Sequence, residues 1–193
     1  MMDSSTLSPG FAAPVIDAQV TFRALLDAMA HPGAAHAVAP LSPPAPLNQA
    51  AAAALLTLVD HETRVWIDPS AAAAAPWIAF HTGAPRVAEM AQCAFALALT
   101  LPDLAALPGG SDEAPEASAT VILQVASLDG GRRYRLAGPG LRVPETIAVD
   151  GLPADFAALW RDNHRLFPRG VDLVLCSGDR LAALPRSVSI EEV

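Results

Sequence analysis

The chain has 193 residues, of which 52% are hydrophobic and 17% charged, enough apolar material for the core of one globular domain and too much for compositional disorder. Its 12 basic side chains are all arginines, so a Schiff base, a phosphate-loop lysine and a lysine general base are excluded. The net charge of −8 argues against unspecific binding to DNA or RNA.

Residues 1–16 contain Ser and Pro without a regular period and are expected to form an irregular arm ahead of a single α/β domain over residues 17–193. Asp3 and the lack of a basic stretch argue against a signal peptide. The uncharged apolar run at 90–101 is too short to cross a bilayer, so a cytoplasmic setting without a membrane partner is expected. From Asp17 to Met29, apolar residues return at three- and four-residue spacing and predict a helix. Asp17 is placed to cap it, and His31-Pro32-Gly33 to stop it. Residues 34–46, with Pro40, Pro43, Pro44 and Pro46, read as a loop. Residues 47–59 are apolar nearly all round and predict a buried helix.

Strand-like runs at 64–67 and 77–80 flank a short helix in the alanine run 71–75. Residues 85–92 read as a helix, 94–99 as a buried strand or helix, and 102–107 as a helical turn. The strongest strand signal is 119–126, rich in β-branched and aliphatic residues. Asp129-Gly130-Gly131 predicts a hairpin turn into 132–137, with Arg133 and Arg135 on one face and Tyr134 and Leu136 on the other. An amphipathic helix is predicted over 153–166 with Pro153 in its first turn, a buried strand over 171–175, and an extended run over 181–190. Alternating helices and strands with one hairpin predict an α/β fold, a mixed β-sheet flanked by helices. Cys93 and Cys176 stand far apart with no Cys-x-x-Cys and predict buried thiols.

Charge is unevenly spread. Residues 1–131 hold 3 Arg and 12 acids, net −9, and residues 132–193 hold 9 Arg and 8 acids, net +1. An anion-handling surface is therefore expected in the last third. No dinucleotide or P-loop glycine motif, nucleophile elbow or zinc-protease motif is present. Asp60-His61-Glu62-Thr63 puts two carboxylates and an imidazole in one turn, which suits proton transfer or simply a polar helix end; it lacks partners at metal-ligand spacing, so no metal site is expected. Phe80-His81-Thr82-Gly83 follows a strand-like run. Loops at strand ends bind ligands in α/β sheets, so His81 and Thr82 are candidates for phosphate contact, with a helix start capped by Thr82 as the other reading. Gly138-Pro139-Gly140 precedes Arg142: the glycines admit a close backbone approach to an anion and the arginine adds a fork of donors, while the tripeptide is also an ordinary tight turn. In Leu184-Pro185-Arg186 the proline stiffens the backbone that carries Arg186, which suits a positioned phosphate contact or a surface arginine.

Seven pieces stand in order: Asp17-Ala18-Gln19 through Phe22-Arg23 and Leu26-Asp27-Ala28-Met29 to Pro32-Gly33; Leu58, Asp60 and Glu62-Thr63; Phe80-His81-Thr82-Gly83; Gly109 and Pro115-Glu116 with Ser118-Ala119-Thr120; Gly138-Pro139-Gly140; Phe167-Pro168 with Gly170-Val171-Asp172; and Leu184-Pro185-Arg186. Over residues 11–190 this order resembles the PhnH subunit family of the carbon–phosphorus lyase system. The resemblance implies a bacterial subunit that, with sister subunits, supports formation of α-D-ribose 1-methylphosphonate 5-triphosphate from ATP and methylphosphonate with release of adenine. It places the nucleosidase-type chemistry on another subunit and assigns no catalytic residue to this one. It also implies a reduced version of the pyridoxal-phosphate-dependent transferase fold without the cofactor, a homodimer, and assembly with other carbon–phosphorus lyase subunits. The absence of lysine agrees with the absence of pyridoxal phosphate. ATP or a phosphonate is then the candidate ligand of His81, Thr82, Gly138, Gly140, Arg142 and Arg186. The alternative is a structural subunit that organises partners and binds no small molecule.

Overall fold

A computed structural model of the chain describes residues 8–193. Strands buried on both faces carry nearly unbroken apolar runs, and four such strands form the centre: β4 (Phe95–Ala98), β5 (Thr120–Gln124), β8 (Asp172–Ser177) and β9 (Arg180–Leu184). With β1 (His36–Ala37), β2 (Val65–Ile67) and β3 (Arg86–Val87) they make a seven-stranded sheet of order β1-β9-β8-β5-β4-β2-β3. The strands from β8 to β3 are parallel; β9 runs antiparallel between β8 and β1, so β1 runs in the same direction as the parallel set. The fold is thus α/β with a mixed sheet, as expected.

Successive side chains alternate between the faces. Leu97, Ile122, Val174, Leu181 and Ala183 point to one side. There they meet α1 (Pro14–Ala30), α2 (Gln49–Leu58) and α3 (Ala75–Thr82). Ala98, Val121, Leu123, Leu173, Leu175 and Leu184 point to the other. That side is covered by a second, antiparallel sheet of order β10-β6-β7, made of β6 (Ser127–Ala137), β7 (Glu145–Asp150) and β10 (Ser189–Glu192), together with α4 (Phe156–His164). So helices flank one face, and a sheet with a single helix flanks the other.

Local chemistry explains the helices. In α2 the side chains of residues 50–54 are all alanine and fully buried, which lets the helix lie close on the sheet. Asn48 caps it by accepting the Ala51 amide at 2.8 Å, and its own amide group donates to the Cys176 carbonyl at 2.9 Å. In α4, Phe156, Trp160 and Asn163 recur at helical spacing on the buried face. Both cysteines are buried and unpaired, and burial raises both thiol pKa values.

Several expectations change. The arm is shorter than residues 1–16: residues 1–7 lie outside the described residues, and α1 already starts at Pro14, where a proline suits the first turn. Asp17 is inside the helix and reaches back to accept the Ala13 amide at 2.8 Å. Residues 77–80 are helical, part of α3, not a strand; Pro76 in the first turn and Gly83 at φ +69° bound a run too short for its composition to distinguish the two. Residues 85–92 hold the two-residue β3 and a 3-10 turn instead of a helix. The predicted hairpin turn at Asp129-Gly130-Gly131 is a bulge inside β6. Gly131 sits there at φ +84°, where an added Cβ would lie 2.6 Å from the Asp150 Cα. β5 pairs with β4 and β8, not with β6. The real hairpin joins β6 to β7, a strand the sequence reading left unassigned, and α4 starts at Phe156, not Pro153.

At the carboxyl end of β2, Asp68 is buried and pins two connections. Its carboxylate accepts the Ser70 amide at 2.8 Å, the Ser70 hydroxyl at 2.7 Å and the Leu99 amide at 3.2 Å. Burial opposes its ionisation, but these bonds outweigh burial and hold its pKa below the ordinary carboxylate value. A depressed folded pKa stabilises the fold above the unfolded pKa, about 4, and that stabilisation is lost as pH falls through the folded value. Asp68→Asn should therefore cost about 1–3 kcal/mol at pH 7. Its gap to wild type in denaturant unfolding should shrink below about pH 4. A gap that stays constant down to pH 2.5 would contradict this role for the carboxylate.

Candidate ligand-binding cleft

The loop between β6 and β7, residues 138–144, is held by backbone contacts that only glycine permits. Gly138 has φ +151°, and a Cβ there would lie 2.9 Å from the Ser187 carbonyl oxygen. Gly140 has φ +86°, and its Cβ would lie 2.2 Å from the Ala30 carbonyl oxygen, inside contact distance. The loop is thereby pressed against the end of α1, where the chain leaves the helix through His31-Pro32-Gly33.

Between these two segments lies a cleft of about 610 Å³, lined among others by His31, Gly33, Gly140, Arg142, Glu145 and Thr146. His31 Nδ1 donates to the Asp27 carbonyl at 3.2 Å, which leaves Nε2 as the other ring nitrogen for a ligand. Arg142 is exposed and makes no ion pair among the described residues. One guanidinium fork, one imidazole and one hydroxyl over a glycine floor can recognise a phosphate or phosphonate oxygen. Glu145 on the same wall opposes a dense anion. Among the described residues the cleft presents no nucleophile paired with a base.

The remaining candidates lie elsewhere. Arg186 is 15% exposed and engaged within the chain. Its Nε and Nη2 donate to the Asp172 carboxylate at 3.1 and 2.5 Å, Nη1 donates to the Pro115 carbonyl at 2.8 Å, and its backbone amide donates to Asp172 at 2.7 Å. Three of its five guanidinium N–H groups are therefore already taken. It adjoins the cleft only indirectly, since Gly138 packs on Ser187.

His81 and Thr82 do not stand at the end of a strand, because the run before them is helical. They form the last turn of α3. His81 Nε2 donates to the Ser8 carbonyl at 3.1 Å, which the Trp77 indole also meets at 2.8 Å. Thr82 donates to the Ile78 carbonyl at 2.8 Å and accepts the Ala84 amide at 3.1 Å. His81 thus secures the chain near residue 8, and Thr82 closes α3. Asp60 accepts the Thr63 hydroxyl at 2.7 Å and the Glu62 amide at 2.9 Å, and these bonds hold its carboxyl below the usual pKa. Among the described residues no group of three or more His, Cys, Asp and Glu side chains could hold a metal ion.

The cleft gathers Gly140 and Arg142, with Gly138 anchoring its loop, and separates them from His81, Thr82 and Arg186. Sequence reasoning missed His31 and Thr146. His31-Pro32-Gly33 was legible as a helix stop, and a terminator that is also a cleft wall carries no separate signal.

The structure is thus an α/β fold with a mixed sheet and a cleft beside Gly140 and Arg142. The chain belongs to the PhnH family: the family model described as bacterial phosphonate metabolism protein matches residues 9–191. It is 41% identical over 197 residues to a protein of Rhizobium meliloti (strain 1021) named alpha-D-ribose 1-methylphosphonate 5-triphosphate synthase subunit PhnH, covering 97% of each chain. It is 32% identical over 178 residues to a Stutzerimonas stutzeri protein named "Putative C-P lyase subunit protein HtxG", covering 89% of this chain and 85% of the other. The resemblance drawn from the seven ordered motifs therefore holds.

Gly140→Ala should destabilise the fold by on the order of 2–4 kcal/mol, combining left-handed strain with overpacking on Ala30. Arg142→Ala should stay within about 0.5 kcal/mol of wild type, as an exposed substitution. Thermal unfolding of the two proteins checks this. Equal melting temperatures would show that the loop is not held by the Gly140 contact.

Proposed function

We propose that this chain is a non-autonomous subunit of a synthase in the carbon–phosphorus lyase system. The synthase makes α-D-ribose 1-methylphosphonate 5-triphosphate from ATP and methylphosphonate and releases adenine. The reading is carried by the 41% identity that spans 97% of both this chain and the synthase subunit. In this reading the chain contributes a contact for a phosphate or phosphonate group through Arg142, His31 and the amides around Gly140. The bond-breaking groups belong to sister subunits.

The finer parts of the proposal have separate support. A homodimer is favoured by exposed Val15, Ile16, Phe22 and Leu26 on the outer side of α1. No helix among the described residues is long and apolar enough to cross a membrane, in keeping with work in the cytoplasm. The proposed kinship with the pyridoxal-phosphate-dependent transferase fold is one of architecture. That cofactor is anchored as an aldimine on a lysine, and this chain has none. A second reading, a structural subunit that binds no small molecule, is favoured by one observation: the Arg186 fork is engaged by Asp172 and Pro115.

The test is replacement in a phosphonate-using bacterium that lacks its own copy of this subunit, joined to a nucleotide titration. Wild-type chain should restore growth on methylphosphonate as the sole phosphorus source. ATP should bind wild type, assembled with the sister subunits, about ten- to a hundredfold more tightly than Arg142→Ala. No restored growth would contradict membership in the synthase. Restored growth by both proteins with equal ATP affinity would establish the structural reading.

A further inference from the structure

β10 is an edge strand of the three-stranded sheet, because β6 is its only partner. In an antiparallel ladder, alternate residues turn their backbone groups toward the neighbouring strand and the rest turn them away. The Val193 amide donates to the Arg133 carbonyl at 3.0 Å, so residues 189, 191 and 193 bond to β6. Residues 188, 190 and 192 turn outward. The first outward carbonyl, Val188, accepts the Trp160 indole N–H of α4 at 2.7 Å. Among the described residues, nothing bonds the outward amides and carbonyls of Ile190 and Glu192. They face a groove of about 680 Å³ between β10 and α4.

The groove has two distinct sides. On the helix side, Ala157 and Ala158 of α4 with Ala154 ahead of it form a floor of small apolar side chains beside Asp155, with Arg161 and His164 beyond it. On the strand, Glu191 lies on the outer face of the sheet and is exposed, while Glu192 is paired with Arg132. An open edge beside a helix is the geometry in which an extended peptide adds as a strand. A second copy of this chain is a poor occupant: antiparallel self-pairing of β10 centred on residue 191 or 192 would set Glu191 or Glu192 against its own copy, and like charges opposite each other are destabilising. The chain's net charge of −8 points the same way, toward a basic partner.

We propose that β10 and α4 form a docking groove that takes an extended segment of a sister subunit as an added strand. The occupant alternates: apolar side chains turn onto Ala157 and Ala158, and a basic side chain lies beside Glu191. The inference rests on the reading of the chain as a synthase subunit and specifies one surface by which it joins the others.

The experiment measures assembly of the full chain with its sister subunits by sedimentation, together with amide-resolved hydrogen exchange. On assembly the Ile190 and Glu192 amides should slow at least tenfold, while those of residues 189 and 191 are protected beforehand. Ala158→Phe, which fills the groove from an exposed helix position, and Glu191→Gln, which removes the charge, should each weaken assembly at least tenfold with unchanged melting. Unaltered exchange at Ile190 and Glu192 in a complex that still forms would overturn the proposal and leave the synthase reading standing. Protection of these amides in the isolated chain at high concentration would overturn it in favour of a second copy. Failure of the wild-type chain to assemble would overturn both.

Discussion

Asp172 and Arg186 meet at the start of β8 with side chains 11% and 15% exposed. Removing two charges from water is unfavourable, and that cost is offset there by direct contact and by hydrogen bonds on both carboxylate oxygens and on three of the five guanidinium N–H groups. The carboxylate takes two guanidinium bonds and the Arg186 amide, and the guanidinium also reaches the Pro115 carbonyl. One pair thus fixes three segments: the first residue of β8, the connection from β9 to β10, and the turn at Pro115. The neighbouring groups extend the hold. His164 of α4 bonds the Arg186 carbonyl at 2.8 Å, Trp160 bonds the Val188 carbonyl, and Gly138 packs on Ser187. Through Gly140 the same loop then reaches the end of α1 and forms one wall of the cleft. Both the cleft and the docking groove lie on elements positioned from this pair.

The two faces of the large sheet divide the work. Alanine-rich α2 and its neighbours seal one face with close apolar packing. The other face carries the small sheet, where the last third of the chain concentrates its arginines. Arg132, Arg165, Arg169, Arg180 and Arg186 are paired with acids. The exposed pairs contribute little to stability. Among the described residues this leaves Arg133, Arg135, Arg142 and Arg161 of that third without an ion pair. Of these four, Arg142 lines the cleft and Arg161 the groove, while Arg133 and Arg135 stand on the outer face of β6.

Much of the fold was legible because it rests on local rules. The apolar runs of β5 and β8 read as strands, the second of them buried, α1 and α2 show their period and their stops, and Arg133 and Arg135 alternate with Tyr134 and Leu136 as the pleat demands. Misreadings fall where one local signal serves two structures. Gly130-Gly131 suits a hairpin turn and a bulge equally, and only the pairing of β6 with β7 decides. Residues 77–80 are apolar enough for a strand or a buried helix. The two-residue strands β1 and β3 exist only through their neighbours. At the site, Gly140 and Arg142 were legible from their own chemistry, whereas the partnership of Arg186 with Asp172 was not. These two lie fourteen residues apart, and nothing along the chain marks them as partners.

The most direct measurement is a double-mutant cycle on this pair: unfolding free energies of wild type, Asp172→Ala, Arg186→Ala and the double variant. Each single change leaves a buried charge without its partner and should cost about 3–5 kcal/mol. The double variant should be less destabilised than the sum, with a coupling of about 2–3 kcal/mol. Additivity within about 0.5 kcal/mol would contradict the account, because the three segments would then be held by contacts other than this pair.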